Sequence, residues 1–190
     1  MNGETITVKY DLSDAKTLLN RLEYFKHINT FIFDVDGVMT DGTILSTNTG
    51  DALRTFHTRD GYAIRRAIEE NFNVVVITGG RGNSIESRLK YLGVHQFYTG
   101  VGDKLPVFQR FVETHNLNPS EILYMGDDIN DLTVMKKVGL ACCPADACPE
   151  IKDICHYISP MNGGKGCVRD VIEKVMKLRG SWMNHISISS

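Results

Sequence analysis

No stretch of this chain approaches the ~20 consecutive apolar residues that cross a bilayer, and its first residues lack the basic start, long apolar centre and small-residue cleavage site of a secretory signal. Membrane insertion and export are therefore not expected, and a soluble, cytoplasmic protein with no membrane partner is. A surplus of one charge is missing too. The formal net charge is -2, which gives no global attraction to nucleic acid or anionic lipid, although a local basic cluster can still hold a small anion. No nucleic-acid partner is expected. The five cysteines, Cys142, Cys143, Cys148, Cys155 and Cys167, are odd in number and contain no CxxC pair, so they read as mostly buried thiols in a reducing compartment. A zinc site from Cys148, Cys155 and His156 fits no standard spacing. Repeats and low-complexity tracts are absent as well. What remains is a chain of 190 residues, 42% of them hydrophobic, long enough for one well-buried core and short for two.

The apolar residues fall into alternating patterns. Short runs at Phe31 to Phe33, Val74 to Ile77, Ile122 to Met125 and Leu140 to Cys143 read as buried strands, with shorter ones at Phe97 to Tyr98 and His156 to Ile158. Between them, helical spacing recurs in Ala63, Ile64, Ala67 and Ile68, in Ile85, Leu89 and Leu92, in Val107, Phe108, Phe111 and Val112, in Leu132, Met135 and Val138, and over Val168 to Leu178. Pro149 marks a further helix start. Asn48, Thr49, Gly50 and Asp51 sit between apolar flanks at Thr43 to His57 and predict a β-hairpin. Near the start, a short strand at Ile6 to Tyr10 and a Ser13-capped helix through Phe25 are expected as scaffold. Strands alternating with helices of this size predict an α/β fold, a doubly wound (Rossmann-like) parallel sheet with the hairpin inserted after its first strand.

Three predicted strands end in polar chemistry. Phe31 to Phe33 runs into Asp34 and Asp36, Val74 to Ile77 into Thr78, Gly79 and Gly80, and Ile122 to Met125 into Gly126, Asp127, Asp128 and Asp131. Parallel strands present their tips on one edge, so these groups can converge despite their separation in sequence. Lys104, opening a helix on that edge, adds a positive charge. Several carboxylates cannot stay ionised together without a cation, and hard oxygen ligands beside phosphate-suited donors favour magnesium. Thr78, Lys104 and nearby helix-start amides would then hold a phosphate. An unperturbed aspartate has a pKa of about 3.9 and is ionised at neutral pH, so Asp34 suits a nucleophile, whereas Asp36 suits a proton carrier. The combination predicts two-step hydrolysis of a phosphate ester.

Each piece alone has a plainer explanation: a solvated turn, a helix cap, a surface lysine. A calcium EF-hand loop fails because Met39 stands where it needs glycine and Leu45 where it needs glutamate. It is the shared sheet edge that makes chance placement of all the pieces a poor account.

In this order, DVDG, Thr78, Lys104 and GDDIND resemble the four motifs of the haloacid dehalogenase superfamily. From about Phe31 to Met176, through FHTRDGYAIRRA, MGDDINDLTVMKKVGL and GGKGCVRDVIEKVM, the chain is similar to the 3-deoxy-D-manno-octulosonate 8-phosphate phosphatases. The resemblance implies Asp34 as nucleophile and Asp36 as acid/base and substrate contact. It implies magnesium held by Asp34, Asp127 and the backbone carbonyl of Asp36, with Asp128 and Asp131 behind it. Thr78 and Lys104 would hold the phosphate, while His57, Thr58, Arg59, Asp60, Gly61, Arg65 and Arg88 fall on the family's sugar-binding positions. One departure is plain. An arginine commonly follows the Thr-Gly of the second motif, but Gly80 stands there and Arg81 comes one residue later.

The expected organisation is an N-terminal extension over residues 1–28, a phosphatase domain over 29–179 and a tail over 180–190. The intervals between motifs leave no room for a cap domain. The family's answer to the missing cap is a homotetramer in which the hairpin makes contacts and the glycine loop Gly163 to Gly166 reaches a neighbouring site. A nine-carbon sugar acid 9-phosphate is the alternative substrate. A phosphoaspartate receiver would not need Asp36, and a non-catalytic oligomerisation module related to sugar-nucleotide synthetase domains would be expected to lose Asp34.

Overall fold

In the computed structural model, which describes residues 23–183, residues 23–26 are helical and lead into β1 (Thr30–Phe33). A hairpin of β2 (Leu45–Ser46) and β3 (Ala52–Leu53) follows, then α1 (Thr58–Glu69), β4 (Asn73–Ile77), α2 (Asn83–Leu92), β5 (Gln96–Tyr98) and α3 (Lys104–Thr114). The second half runs through β6 (Ile122–Met125), α4 (Leu132–Met135), β7 (Leu140–Cys143), α5 (Pro149–Lys152), β8 (Tyr157–Ile158) and α6 (Cys167–Leu178). Six strands form a parallel sheet in the order β5-β4-β1-β6-β7-β8. Among the described residues there is no inserted cap, and no helix is long and apolar enough to cross a membrane.

Strand alternation divides the core. Phe31, Phe33, Val74, Val76, Leu123, Met125, Leu140 and Cys142 face one layer with α1, α2 and α6, whereas Ile32, Val75, Ile77, Ile122, Tyr124, Ala141 and Cys143 face the layer with α3, α4 and α5. Both faces are covered, which is why the central strands read as continuous apolar runs.

β1 is the switch point. The chain builds outward from it to β4 and β5 on one side and then to β6, β7 and β8 on the other. The crevice at the C-terminal ends of β1 and β6 is therefore where a ligand site is expected.

Several expectations shift in detail. The helix after Asp131 stops at Met135, leaving Val138 in a turn rather than on its stripe. Trp182, read as part of a polar tail, is only 6% exposed. It meets Tyr62 edge-on at 6.1 Å and lies under the Arg169 guanidinium at 5.3 Å, because so large an aromatic is stabilised by burial against its own chain. The expected strand at Ile6 to Tyr10, most of the Ser13-capped helix and the end of the tail lie outside the described residues.

Candidate active site

β1 delivers Asp34 to the sheet edge, where the Asp34 amide still donates to the Met125 carbonyl of β6 at 3.1 Å. The chain then turns sharply through Gly37, whose φ is 83°. A side chain there would be strained and would also overlap the Asp127 carboxylate, so glycine is what lets the β1 loop and the β6 tip approach. Around this junction Asp34, Asp36, Gly37, Gly42, Thr78, Gly79, Gly80, Asp127, Asp128 and Asn130 line a polar cavity of about 320 Å³. The three predicted strand tips thus converge.

Beneath the cavity lies a buried charge network. The Lys104 ammonium donates to Asp34 Oδ2 at 2.8 Å and to Asp131 Oδ1 at 2.6 Å, and its side chain is 0% exposed. Asp131 Oδ1 also accepts the Tyr124 hydroxyl at 2.6 Å, while its Oδ2 accepts the Asp127 amide at 3.2 Å. Burial pulls the Lys104 pKa down, but Asp34 and Asp131 together outweigh it, and the pKa is raised. Burial and the neighbouring Asp131 and Asp34 carboxylates also push the Tyr124 hydroxyl well above its usual range, so it stays a donor.

The carboxylates meet the opposite fate. Burial first, then Asp131, lifts Asp34 to about 6. Burial, Asp34 and Asp131 lift Asp127 to about 7. Asp34 is therefore not the unperturbed aspartate that its sequence context suggests. Desolvation and the neighbouring Asp131 raise it, and the Lys104 ammonium offsets only part of that rise.

This pattern fits a cation. One oxygen from each of Asp34, Asp127 and Asp131 lies within 4.8 Å of the others, and Asp127 Oδ1 is buried without a hydrogen-bond partner. Asp131 is already occupied by Lys104, Tyr124 and the Asp127 amide. Asp34 and Asp127 are thus the better-placed donors, and an all-oxygen set suits a hard divalent ion. The cysteines form no comparable group among the described residues.

The description of haloacid dehalogenase-like hydrolases matches residues 97–172. The 3-deoxy-D-manno-octulosonate 8-phosphate phosphatase of Yersinia pestis is 40% identical over 159 residues, covering 82% of this chain and 85% of that relative. The chain belongs to this phosphatase family. A crystal structure of the Yersinia pestis phosphatase superposes with a TM-score of 0.84 at 36% identity, covering 87% of this chain and 89% of that one. The Moraxella catarrhalis phosphatase, in a complex with magnesium, phosphate and the sugar acid, gives 0.83 at 28% identity, covering 86% and 94%. The family's parallel-sheet, capless fold is the fold described above.

Not every residue placed by the family pattern reaches the cavity. Thr78 lines it, with its hydroxyl accepting the Gly80 amide at 3.0 Å. Asp128 lines it from an exposed position while accepting the Ile129 amide at 2.8 Å. Thr58, Gly61, Arg65 and Arg88 instead border a separate cavity of about 450 Å³ between α1 and α2. There Arg65 lies 4.7 Å and Arg88 5.6 Å from the Tyr91 ring centre. His57 and Arg59 border another cavity, with Lys165 and Arg169. Asp60 turns inward: it is buried, and Oδ1 accepts the Arg169 amide at 2.7 Å near the start of α6. That oxygen serves one of the first amides of α6, which need an acceptor outside the helix.

Within the chain, the glycine loop Gly163 to Gly166 packs on the turn after β1. The Gly164 amide donates to the Val38 carbonyl at 2.9 Å, and a side chain on Gly163 would overlap the Gly37 carbonyl. The loop braces the β1 loop that carries Asp34 and Asp36. Sequence reading missed Tyr124, an ordinary aromatic strand residue by pattern. It also missed Arg54, whose only signal was a lone cation in a hairpin expected to be structural.

Proposed function

We propose that this chain is a magnesium-dependent phosphatase acting on 3-deoxy-D-manno-octulosonate 8-phosphate in lipopolysaccharide precursor synthesis. The observation that carries this reading is the Asp34, Asp127, Asp131 and Lys104 cluster opening on a polar cavity, in a chain of this family. Asp34, Asp127 and the Asp36 carbonyl would hold the ion. Bound there, it neutralises the carboxylates and draws charge from a phosphate oxygen.

Asp34 attacks phosphorus, a bond forms between its oxygen and phosphorus, and the ester P–O bond breaks. The departing sugar oxygen takes a proton from Asp36. A water oxygen then attacks the phosphorus of the aspartyl-phosphate while Asp36 takes its proton, and cleavage of the P–O bond to Asp34 releases phosphate. Thr78 would hold a phosphate oxygen at the cavity wall, and Lys104, beneath the cavity and paired with Asp34, would offset the charge gathered there. The charge is balanced at each step without another reactant.

That Arg65 and Arg88 border a cavity separate from the catalytic one supports a homotetramer in which a neighbouring subunit completes the site. Exposed Ile44, Leu45 and Leu53 on the hairpin suit subunit contact. Sedimentation should show a tetramer whose dilution to monomers abolishes activity; a fully active monomer would refute this arrangement.

One alternative is a nine-carbon sugar acid 9-phosphate, which the same phosphate chemistry would serve and which differs only in its sugar contacts. Phosphate release with both substrates, with and without magnesium, separates the two through kcat/KM. Turnover of neither would defeat the substrate assignment. Asp34→Asn should lower kcat by at least about 1,000-fold, since it removes the nucleophile, and full activity in that variant would defeat the mechanism.

A further inference from the structure

Arg54 leaves the end of β3 and reaches back 18 positions to Asp36. Its Nε donates to Asp36 Oδ1 at 2.6 Å and its Nη2 to Oδ2 at 2.9 Å, a two-pronged pairing that fixes the plane of the carboxylate as well as its position. The other prong is anchored: Nη1 donates to the carbonyls of Ala52 at 3.1 Å and Arg81 at 3.4 Å. The Arg54 side chain is only 3% exposed. It is therefore a held group rather than a mobile surface cation, and it bridges the hairpin, the β1 loop and the loop after β4.

Position 80 explains how it fits. A Cβ on Gly80 would stand 2.8 Å from Asp36 Oδ2, 2.9 Å from Ile85 Cδ1 and 3.2 Å from Arg54 Nη2. Even a methyl group would crowd both members of the pair, and a longer side chain would have to displace the guanidinium. The absence of a side chain at 80 and the presence of arginine at 54 thus belong to one arrangement.

We propose that Arg54 is the positioning residue for Asp36, aiming its carboxylate into the phosphate cavity, and that Gly80 is the vacancy this pair requires. The inference rests on the phosphatase reading given above. Arg54 acts through Asp36, so its loss should weaken departure of a poor leaving group that needs a proton and the later activation of water, while attack by Asp34 on an ester with a good leaving group, which needs no proton, should be spared. Misplacing a catalytic group by about 1 Å costs up to about 100-fold.

The test uses the full-length protein with magnesium, in wild-type, Arg54→Ala, Arg54→Lys and Gly80→Ala forms. On the sugar phosphate, kcat of Arg54→Ala should fall about 10- to 100-fold with KM changed less than about threefold. Arg54→Lys should recover part of the loss, and Gly80→Ala should reproduce it. Adding Arg54→Ala to Gly80→Ala should cost little more, because both disturb one pair. With p-nitrophenyl phosphate, whose leaving group departs as a stable anion, the rapid first release of p-nitrophenolate should survive in Arg54→Ala. Loss of that burst in a folded variant, a rise in KM with kcat unchanged, or additive effects of the two substitutions would each overturn the proposal.

Failure of the wild type on the octulosonate ester alone would overturn only the substrate reading. The same comparison then runs between p-nitrophenyl phosphate and an alkyl phosphate that the enzyme does hydrolyse. A wild type inert toward every phosphate ester would overturn both.

Discussion

Two charged regions of this molecule are built on opposite principles. At the tips of β1 and β6, Lys104 and Asp131 are wholly buried, and their side chains pair with each other, with Asp34, with the Tyr124 hydroxyl and with the Asp127 amide. Between α1 and α2, Arg65 and Arg88 lie against the exposed Tyr91 ring, and Arg88 Nε has no hydrogen-bond partner. A buried network must be satisfied within the fold or it destabilises the fold. An arginine face can wait for a ligand or a neighbour. The contrast separates a buried charge network satisfied within one chain from an open arginine face, and it is on that face that the proposed tetramer would complete sugar recognition.

The strongest attack on this comparison is Lys104→Met. It strands Asp34 and Asp131 as uncompensated buried carboxylates, so metal-free stability should fall by about 3–5 kcal/mol, read from denaturant unfolding. The same variant should lose at least about 100-fold in kcat, because transition-state charge at the phosphate loses its fixed cation. A fully stable and active Lys104→Met would mean that the buried network is not the foundation of the site.

Arg88→Ala probes the other region. It should raise KM for the sugar phosphate about 10-fold while leaving kcat for p-nitrophenyl phosphate and the unfolding midpoint unchanged. A drop in stability comparable to that of Lys104→Met would erase the distinction between the two regions.

The pH dependence sharpens it further. Asp34 and Asp127 have pKa values raised to about 6 and about 7. The folded metal-free chain therefore holds more protons than the unfolded one between roughly pH 4 and 7, and its stability falls as pH rises through that window. Magnesium favours the charged carboxylates. Its affinity should rise through the same window and level off above it, with protons released on binding. Calorimetry in two buffers of different ionisation enthalpy measures that release, and proton uptake instead would reverse the assignment.

The smallest expected effect is that of Tyr124→Phe. Asp131 keeps Lys104 and the Asp127 amide, so about 1–2 kcal/mol of stability and only a few-fold of kcat should be lost, as read by unfolding and steady-state kinetics. A loss as large as that of Lys104→Met would show that the hydroxyl and the ammonium act as one unit.

Much of this was legible in the sequence because it depends on local pattern. Apolar runs of three or four residues marked the sheet, and the polar residues that ended three of them marked one edge. The clear departures depend on distance or competition. Asp34 was read as an ordinary ionised aspartate, yet its pKa is set by burial and by Asp131, almost a hundred positions away. Arg54 belongs to Asp36 only because the hairpin folds back, and nothing in LRTF says so. Asp60 sits in a run that reads as ligand-binding, and the run does not show that its carboxylate also accepts an amide at the start of α6. Trp182 follows a glycine and a serine, which read as a tail until the groove beside Tyr62 and Arg169 is present to receive it.

Lys104 carries a last consequence for the bench. Amine-acylating reagents need an accessible, neutral amine, and this one is sealed from solvent with its pKa raised. Exposed lysines such as Lys90 and Lys165 should be labelled while Lys104 is spared. The slow appearance of label on Lys104 would then serve as a clock for transient opening of the folded chain at its most charged point.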